Sequence, residues 1–115
     1  MILFKPQHVE PILAGTKTQT RRIWKKPRAK VGSIHLAKIR MLSKEFFAKL
    51  QITAVYTERL GDISTEDAIA EGYPNKNSYL IAFANINHQS VNDENFLNQI
   101  LHVVKFELVE CEVNE

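Results

Sequence analysis

Apolar and polar positions along this 115-residue chain alternate in short stretches, and the breaks fall at glycine and proline. Met1 to Lys5 is a short apolar run ended by Pro6 and predicts a strand. Gln7 to Ala14 carries Val9, Ile12 and Leu13 at helical spacing and stops at Gly15, a natural helix C-cap. Pro11 makes that helix short or starts it nearby. Thr16 to Trp24, rich in Thr and Arg, predicts a strand with mixed faces. Lys25 to Lys30 is a basic loop around Pro27, and after Gly32 the residues Ile34, Leu36 and Ala37 mark a strand within Ser33 to Met41. In Phe46 to Tyr56, the residues Leu50, Ile52, Ala54 and Tyr56 fall on one strand face.

Gly61-Asp62 breaks the pattern. Ser64 or Thr65 then caps a short helix through Ala70, with Glu66 and Asp67 in its first turn, where the dipole favours acids, and Gly72 stops it. Asn77 to Asn85 fits a second helix, and Asn87 to Asn95 is polar and loop-like. Ile100 to Glu110 is a closing strand, with His102, Val104, Phe106 and Leu108 on one face and Leu101, Val103, Lys105 and Glu107 on the other. The order predicts an α+β domain spanning 1–115, with a strongly curved sheet whose first and last strands close a small barrel.

Charge changes this picture. The net charge is only +2, but residues 1–50 hold twelve Lys/Arg against two Asp/Glu, and residues 51–115 hold three against eleven. Either the first half supplies an anion-facing surface, or the halves interleave and their charges pair. One cysteine, Cys111, excludes an internal disulfide. The N-terminus has no basic leader before a long apolar run, and no stretch approaches the roughly 20 apolar residues of a membrane span. The expectation is a cytoplasmic protein without a membrane partner. The four histidines, His8, His35, His88 and His102, are scattered and lack ligand spacing with the lone cysteine, so no metal is expected. No Gly-rich phosphate loop is present and no cofactor is implied.

The densest chemistry lies in Gly15-Thr16-Lys17-Thr18-Gln19-Thr20-Arg21-Arg22. In a regular strand Thr18, Thr20 and Arg22 share one face and Lys17, Gln19 and Arg21 the other. Two faces with a cation each cannot both be ordinary core, so one lines a cavity and the other meets solvent or an anion; a solvated edge strand is the plainer reading. A second segment, Ile63 to Tyr73, ends its helix on Glu71, where a carboxylate is electrostatically unfavourable. Lys17 or Arg22 is a plausible partner for it, or Glu71 is simply exposed.

These two segments resemble the ASCH family, a nucleic-acid-associated branch of the PUA-like β-barrels. Gly15, Lys17 and Arg22 match its Gly-x-Lys-x-x-Glu-x-Arg pattern, with Thr20 in place of the acid. Ala68-Ile69-Ala70-Glu71-Gly72-Tyr73 is similar to its second landmark, an acid after a short helix. One branch consists of small bacterial amidohydrolases that deacetylate N4-acetylcytidine with a lysine, a threonine and a glutamate. By motif position the resemblance implies Lys17, Thr20 and Glu71 as the catalytic residues; Arg21 and the chain after Gly72 depart from that branch.

Amide hydrolysis needs an activated nucleophile, a proton carrier and oxyanion donors. Thr20 supplies a hydroxyl, and Lys17 can take its proton if burial or the cations Arg21 and Arg22 lower its pKa, an effect Glu71 opposes. Alternatively Glu71 activates water and Lys17 stabilises the oxyanion. Lys17 and Thr20 have opposite parity, so they converge only if Lys17 belongs to the turn after Gly15 or a bulge intervenes. A different class of function is a module gripping RNA or single-stranded nucleic acid through Arg21, Arg22, Lys25, Lys26, Arg28 and Lys30, with Trp24 stacking on a base or packing in the core. Some ASCH proteins are ribonucleases, which lies between the two. Arg22 either anchors a phosphate or pairs with an acid, and Tyr73 or Phe83 either stacks on a nucleobase or packs in the core.

Overall fold

A computed structural model describes residues 1–111. The reading of 1–115 as one domain therefore includes four residues outside the described part. Five strands carry the fold: β1 (Ile2–Leu3), β2 (Gln19–Arg22), β3 (Ile34–Lys38), β4 (Ala48–Arg59) and β5 (Ile100–Cys111). Helix α1 (Val9–Leu13) follows a 3₁₀ turn at Pro6–His8, while α2 (Thr65–Ala70) and α3 (Lys76–Ile86) lie between β4 and β5. The caps are side chains of the expected kind: Ser64 Oγ accepts from the Asp67 amide at 3.0 Å, and Asn75 Oδ1 from the Ser78 amide at 2.8 Å.

The strands form one mixed sheet in the order β1-β3-β4-β5-β2. Only β1–β3 is parallel. The first and last strands do not pair, contrary to the expectation from their positions in the chain. β5 is already flanked by β4 and β2, so β1 takes the free edge of β3 and the sheet curls into a half-barrel with an open seam between β1 and β2. Arg22 spans that seam: its Nη2 donates to the Leu3 carbonyl at 2.6 Å and its guanidinium lies 5.1 Å from the Phe4 ring centroid.

The long β4–β5 ladder contains the clearest departure from simple alternation. Ile52 faces Phe106 and Ala54 faces Lys105, with Thr53 passed over in an irregularity. One inserted residue reverses the parity of everything after it. The inner row therefore runs Leu50, Ile52, Val55, and Tyr56 is turned outward with the Lys105 ammonium 5.6 Å from its ring centroid. Period-two counting had placed Ala54 and Tyr56 with Leu50 and Ile52.

Two apolar clusters follow from this geometry. Ile2, Phe4, Ile12, Leu50, Ile52, Val104 and Phe106 fill the half-barrel. Leu60, Ile63, Ala68, Tyr79, Phe83, Phe96 and Leu101 join α2 and α3 to the sheet. The run Leu101–Val104 is buried throughout because β5 is covered on both faces there. Among the described residues no helix is long and apolar enough to cross a membrane. Leu50 has no exposed surface, so Leu50→Ala is expected to lower stability by about 2–5 kcal/mol, read as a shift in urea midpoint with an unchanged denaturant slope. A loss below about 1 kcal/mol would contradict the placement of Leu50 at the core centre.

Candidate active site

Two helix ends build the site. α1 stops at Gly15, whose φ of +78° suits glycine, and the amides of Thr16 and Lys17 both donate back to the Pro11 carbonyl. This turn places Lys17 ahead of β2 rather than within it. The Thr18 amide then donates to the Ala70 carbonyl at 2.8 Å, which pins the start of β2 to the end of α2. At that end Gly72 adopts a φ of +103°, and the Tyr73 amide turns back to the Ala68 carbonyl.

Lys17 docks on this carboxyl-terminal turn. Its Nζ donates to the Glu71 carbonyl at 2.7 Å, to Glu71 Oε1 at 3.2 Å and to the Gln19 carbonyl at 2.9 Å. A cation at the negative end of a helix answers both the helix carbonyl and the unfavourably placed carboxylate. Glu71 is thus buried, not exposed. Its second oxygen accepts from Arg21 Nη1 at 2.8 Å. Arg21 also donates to Glu58 and Asp67 and to the Gln19 amide oxygen, and Gln19 Nε2 donates to Asp67.

Arg21 therefore does not join an exposed phosphate-binding face. Its side chain is 1% exposed and its charge is answered inside the protein. Burial works against its charge, but Glu71 and Glu58 outweigh burial and hold the guanidinium above its ordinary value. For Lys17 burial wins: desolvation pushes the ammonium below the usual lysine range, with Glu71 opposing and Arg22 and Arg21 assisting.

The other face of β2 carries Thr20 and Arg22. Arg22 Nε donates to Thr20 Oγ1 at 2.9 Å, so Arg22 pairs with a hydroxyl and the Leu3 carbonyl rather than with Glu71. Lys17, Thr20, Arg21, Arg22 and Glu71 line one cavity of about 320 Å³. Leu3, Phe4, Lys5 and His8 wall it on the β1 side, and Tyr73, Tyr79 and Phe83 on the helical side. The parity problem is solved by the turn: Lys17 reaches the cavity from before the strand and Thr20 from within it. A larger groove of about 610 Å³ beside Val9, Ile39, Arg40 and Phe46 holds no comparable cluster of buried polar groups.

The remaining basic residues divide. Lys25, Lys26, Arg28 and Lys30 are exposed on the loop after β2. Trp24 is half-buried against the half-barrel core, its ring centroid 6.0 Å from that of His102. Tyr73 and Phe83 both reach the cavity and both pack on Tyr79. Among the described residues no group of three or more His, Cys, Asp or Glu is arranged to hold a metal.

Sequence reasoning missed His8, Tyr79, Gln19, Glu58 and Asp67. Arg21 on β2 was the available signal for buried carboxylates, but its acidic partners Glu58, Asp67 and Glu71 lie 37 or more residues away. His8 accompanies the cavity wall, with Nε2 at 3.3 Å from the Tyr73 hydroxyl. Burial, then Lys17 and Arg22, lower its pKa from 6.5 to about 4.

No protein-family model and no curated protein sequence matches this chain. Solved structures do. A protein from Enterococcus faecalis V583 of the DUF984 family superposes with a TM-score of 0.69 at 15% identity, covering 100% of this chain and 86% of that one. The ASCH domain from Lactobacillus crispatus JV V101 superposes with a TM-score of 0.66 at 16% identity, covering 88% of this chain and 69% of that one. The fold shared with them is a small α+β fold built on one curved, mixed five-stranded sheet. Within that class it is the ASCH fold, as the Gly15-to-Arg22 and Glu71 motifs implied.

At His8 the unfolded state binds more protons than the folded one between pH 4 and 6.5, because burial, with Lys17 and Arg22, depresses its value in the fold. His8 thus contributes its full stability above about pH 6.5 and loses it as pH falls toward 4. Melting temperatures between pH 7 and 4.5 are expected to fall less steeply in His8→Gln than in the wild type. Equal slopes would refute the assignment.

Proposed function

We propose that this protein is an amidohydrolase that removes the acyl group from an N4-acylated cytidine or a similar modified nucleoside, acting in the cytoplasm. The observation that carries this reading is the meeting of Lys17, Thr20 and Glu71 on one cavity, with Lys17 and Glu71 paired out of solvent. The cavity's volume falls within the range of small-molecule sites. Tyr73 and Phe83 offer aromatic walls for a flat ring.

The reaction adds water across the amide. The bond from the acyl carbon to the exocyclic nitrogen breaks, the carbon gains a hydroxyl, and the nitrogen gains a proton, yielding cytidine and a carboxylic acid. Thr20 is the nucleophile. Its oxygen accepts a hydrogen bond from Arg22, which leaves its own hydrogen free for transfer and places a positive charge beside the developing alkoxide. Lys17 stands between burial, which favours the amine, and Glu71, which favours the ammonium. In its amine form Lys17 gives up one of its three donated bonds and has a lone pair to take the Thr20 proton, which it then returns to the leaving amine. Cleavage of the carbon–nitrogen bond releases cytidine and leaves the acyl group as an ester on Thr20; water then hydrolyses that ester, releasing the carboxylic acid and restoring the Thr20 hydroxyl.

A second reading rests on the exposed cations Lys25, Lys26, Arg28 and Lys30, which suit the phosphates of RNA or another single strand. It needs no chemistry at Lys17.

Purified protein incubated with N4-acetylcytidine is expected to release cytidine, measured by chromatography. Lys17→Ala and Thr20→Ala are each expected to lose at least about 100-fold in kcat/KM. Activity retained in Thr20→Ala but not in Lys17→Ala would replace the threonine nucleophile with water activated by Glu71. No cytidine at high protein concentration would defeat the hydrolase reading. The module reading makes a separate prediction, tested with a single-stranded oligonucleotide. Affinity should fall with salt at a log–log slope of about −3 for four phosphate contacts. Alanine at Lys25, Lys26 and Arg28 should flatten that slope, and binding unaffected by these changes would exclude the module.

A further inference from the structure

The polar groups deep in the cavity are almost all spoken for. Lys17 has three acceptors, Glu71 has a cation on each oxygen, Thr20 accepts from Arg22, and Tyr73 meets His8. Tyr79 is the exception. Its ring is packed away, the residue as a whole being 3% exposed, while its hydroxyl faces the cavity and makes no hydrogen bond to the described residues.

Its position is not loose. The ring sits on α3 between Tyr73, at a centroid distance of 5.6 Å and 72° between planes, and Phe83, at 6.0 Å and 42°. The phenol lies near enough to Glu71, Arg21, Tyr73 and Arg22 to feel their charges. Burial and the Glu71 carboxylate push its pKa up, so it remains a donor at any ordinary pH. The two arginines have no acceptor to give it, and the two Glu71 oxygens are engaged by Lys17 and Arg21 with no hydrogen bond to the phenol. Among the described residues the one fully enclosed side-chain polar atom without a partner is His102 Nδ1, so the Tyr79 hydroxyl is not sealed off but opens onto the cavity, where it is free to donate to an acceptor that enters.

The reacting groups enter from the β2 side and the end of α2, whereas Tyr79 enters from α3. An acyl carbon held at Thr20 leaves the other acceptors of the same ligand for the α3 wall. We propose that the Tyr79 hydroxyl donates to the ring carbonyl of a pyrimidine base bound in the cavity, and that it is a specificity-determining residue. This rests on the nucleoside reading of the site and goes beyond it by naming which part of the base is recognised.

Tyr79→Phe removes one oxygen and keeps the ring. The probes are cytidine and a 2-aminopyridine C-ribonucleoside, which keeps the amino group and the ring nitrogen but has C–H in place of the ring carbonyl, with binding followed by calorimetry or NMR titration at a pH where both are neutral. The wild type is expected to bind cytidine about ten-fold more tightly than the carbonyl-free analogue, and Tyr79→Phe to bind both alike at the weaker affinity. Ligand-free Tyr79→Phe is expected to melt no lower than the wild type, because no protein contact is lost. A preference for cytidine that survives in Tyr79→Phe overturns the proposal, as does a wild type that binds no cytidine. A lost preference together with a melting temperature several degrees lower also overturns it, since the phenol would then be structural. Hydrolysis of N4-acetylcytidine is scored separately: a wild type that discriminates through Tyr79 but releases no cytidine from that substrate leaves the recognition standing and removes the hydrolase.

Discussion

The site depends on one constraint, the burial of Lys17, Arg21 and Glu71 in a single contact. An isolated charge in a protein interior is strongly disfavoured, and removing one member of a buried pair strands the other. Here each Glu71 oxygen is held by a different cation, and Lys17 finds its two further acceptors on backbone carbonyls. The cluster therefore persists only while β2, the end of α2 and the end of β4 keep their relative positions. Glu58 and Asp67 extend the same requirement outward through Arg21.

The open seam of the half-barrel is the second constraint. A sheet that closed by backbone pairing between β1 and β2 would leave no cavity between those edges. Arg22 ties them instead with a side chain, joining the Leu3 carbonyl, the Phe4 ring and the Thr20 hydroxyl. The same guanidinium thus holds the wall of the cavity and orients a reactive group within it. Burial pulls its pKa below the usual arginine value, with Glu71 opposing.

Local signals in the chain were informative where one residue type has one dominant physical use. Ser64 before an acidic first turn, and glycine after α1 and after α2, placed three helix ends close to where they lie. The apolar run at Leu101–Val104 marked a strand covered on both faces. Alternation failed at Thr53, because a bulge leaves no mark that two-residue counting detects. Thr16–Trp24 looked uniform as a strand, yet its first three residues form the turn that carries Lys17 to the cavity and its last two lie past the pairing with β5.

What the sequence determined by itself was the set of elements and the ASCH likeness, which singled out the Gly15-to-Arg22 segment and Glu71 without deciding whether they meet. These depend on short-range preferences and on motif spacing, which are written locally. Only the tertiary structure decided which cations face inward. Arg21 and Arg28 look alike in the chain, but one is buried against three carboxylates and the other lies exposed on a loop. It likewise decided that Tyr79 meets the cavity without a partner and that β1 joins β3 rather than β5. The reason is common to all three. Burial, charge pairing and strand neighbours are properties of residues brought together from distant parts of the chain, and no local pattern encodes the distance between them.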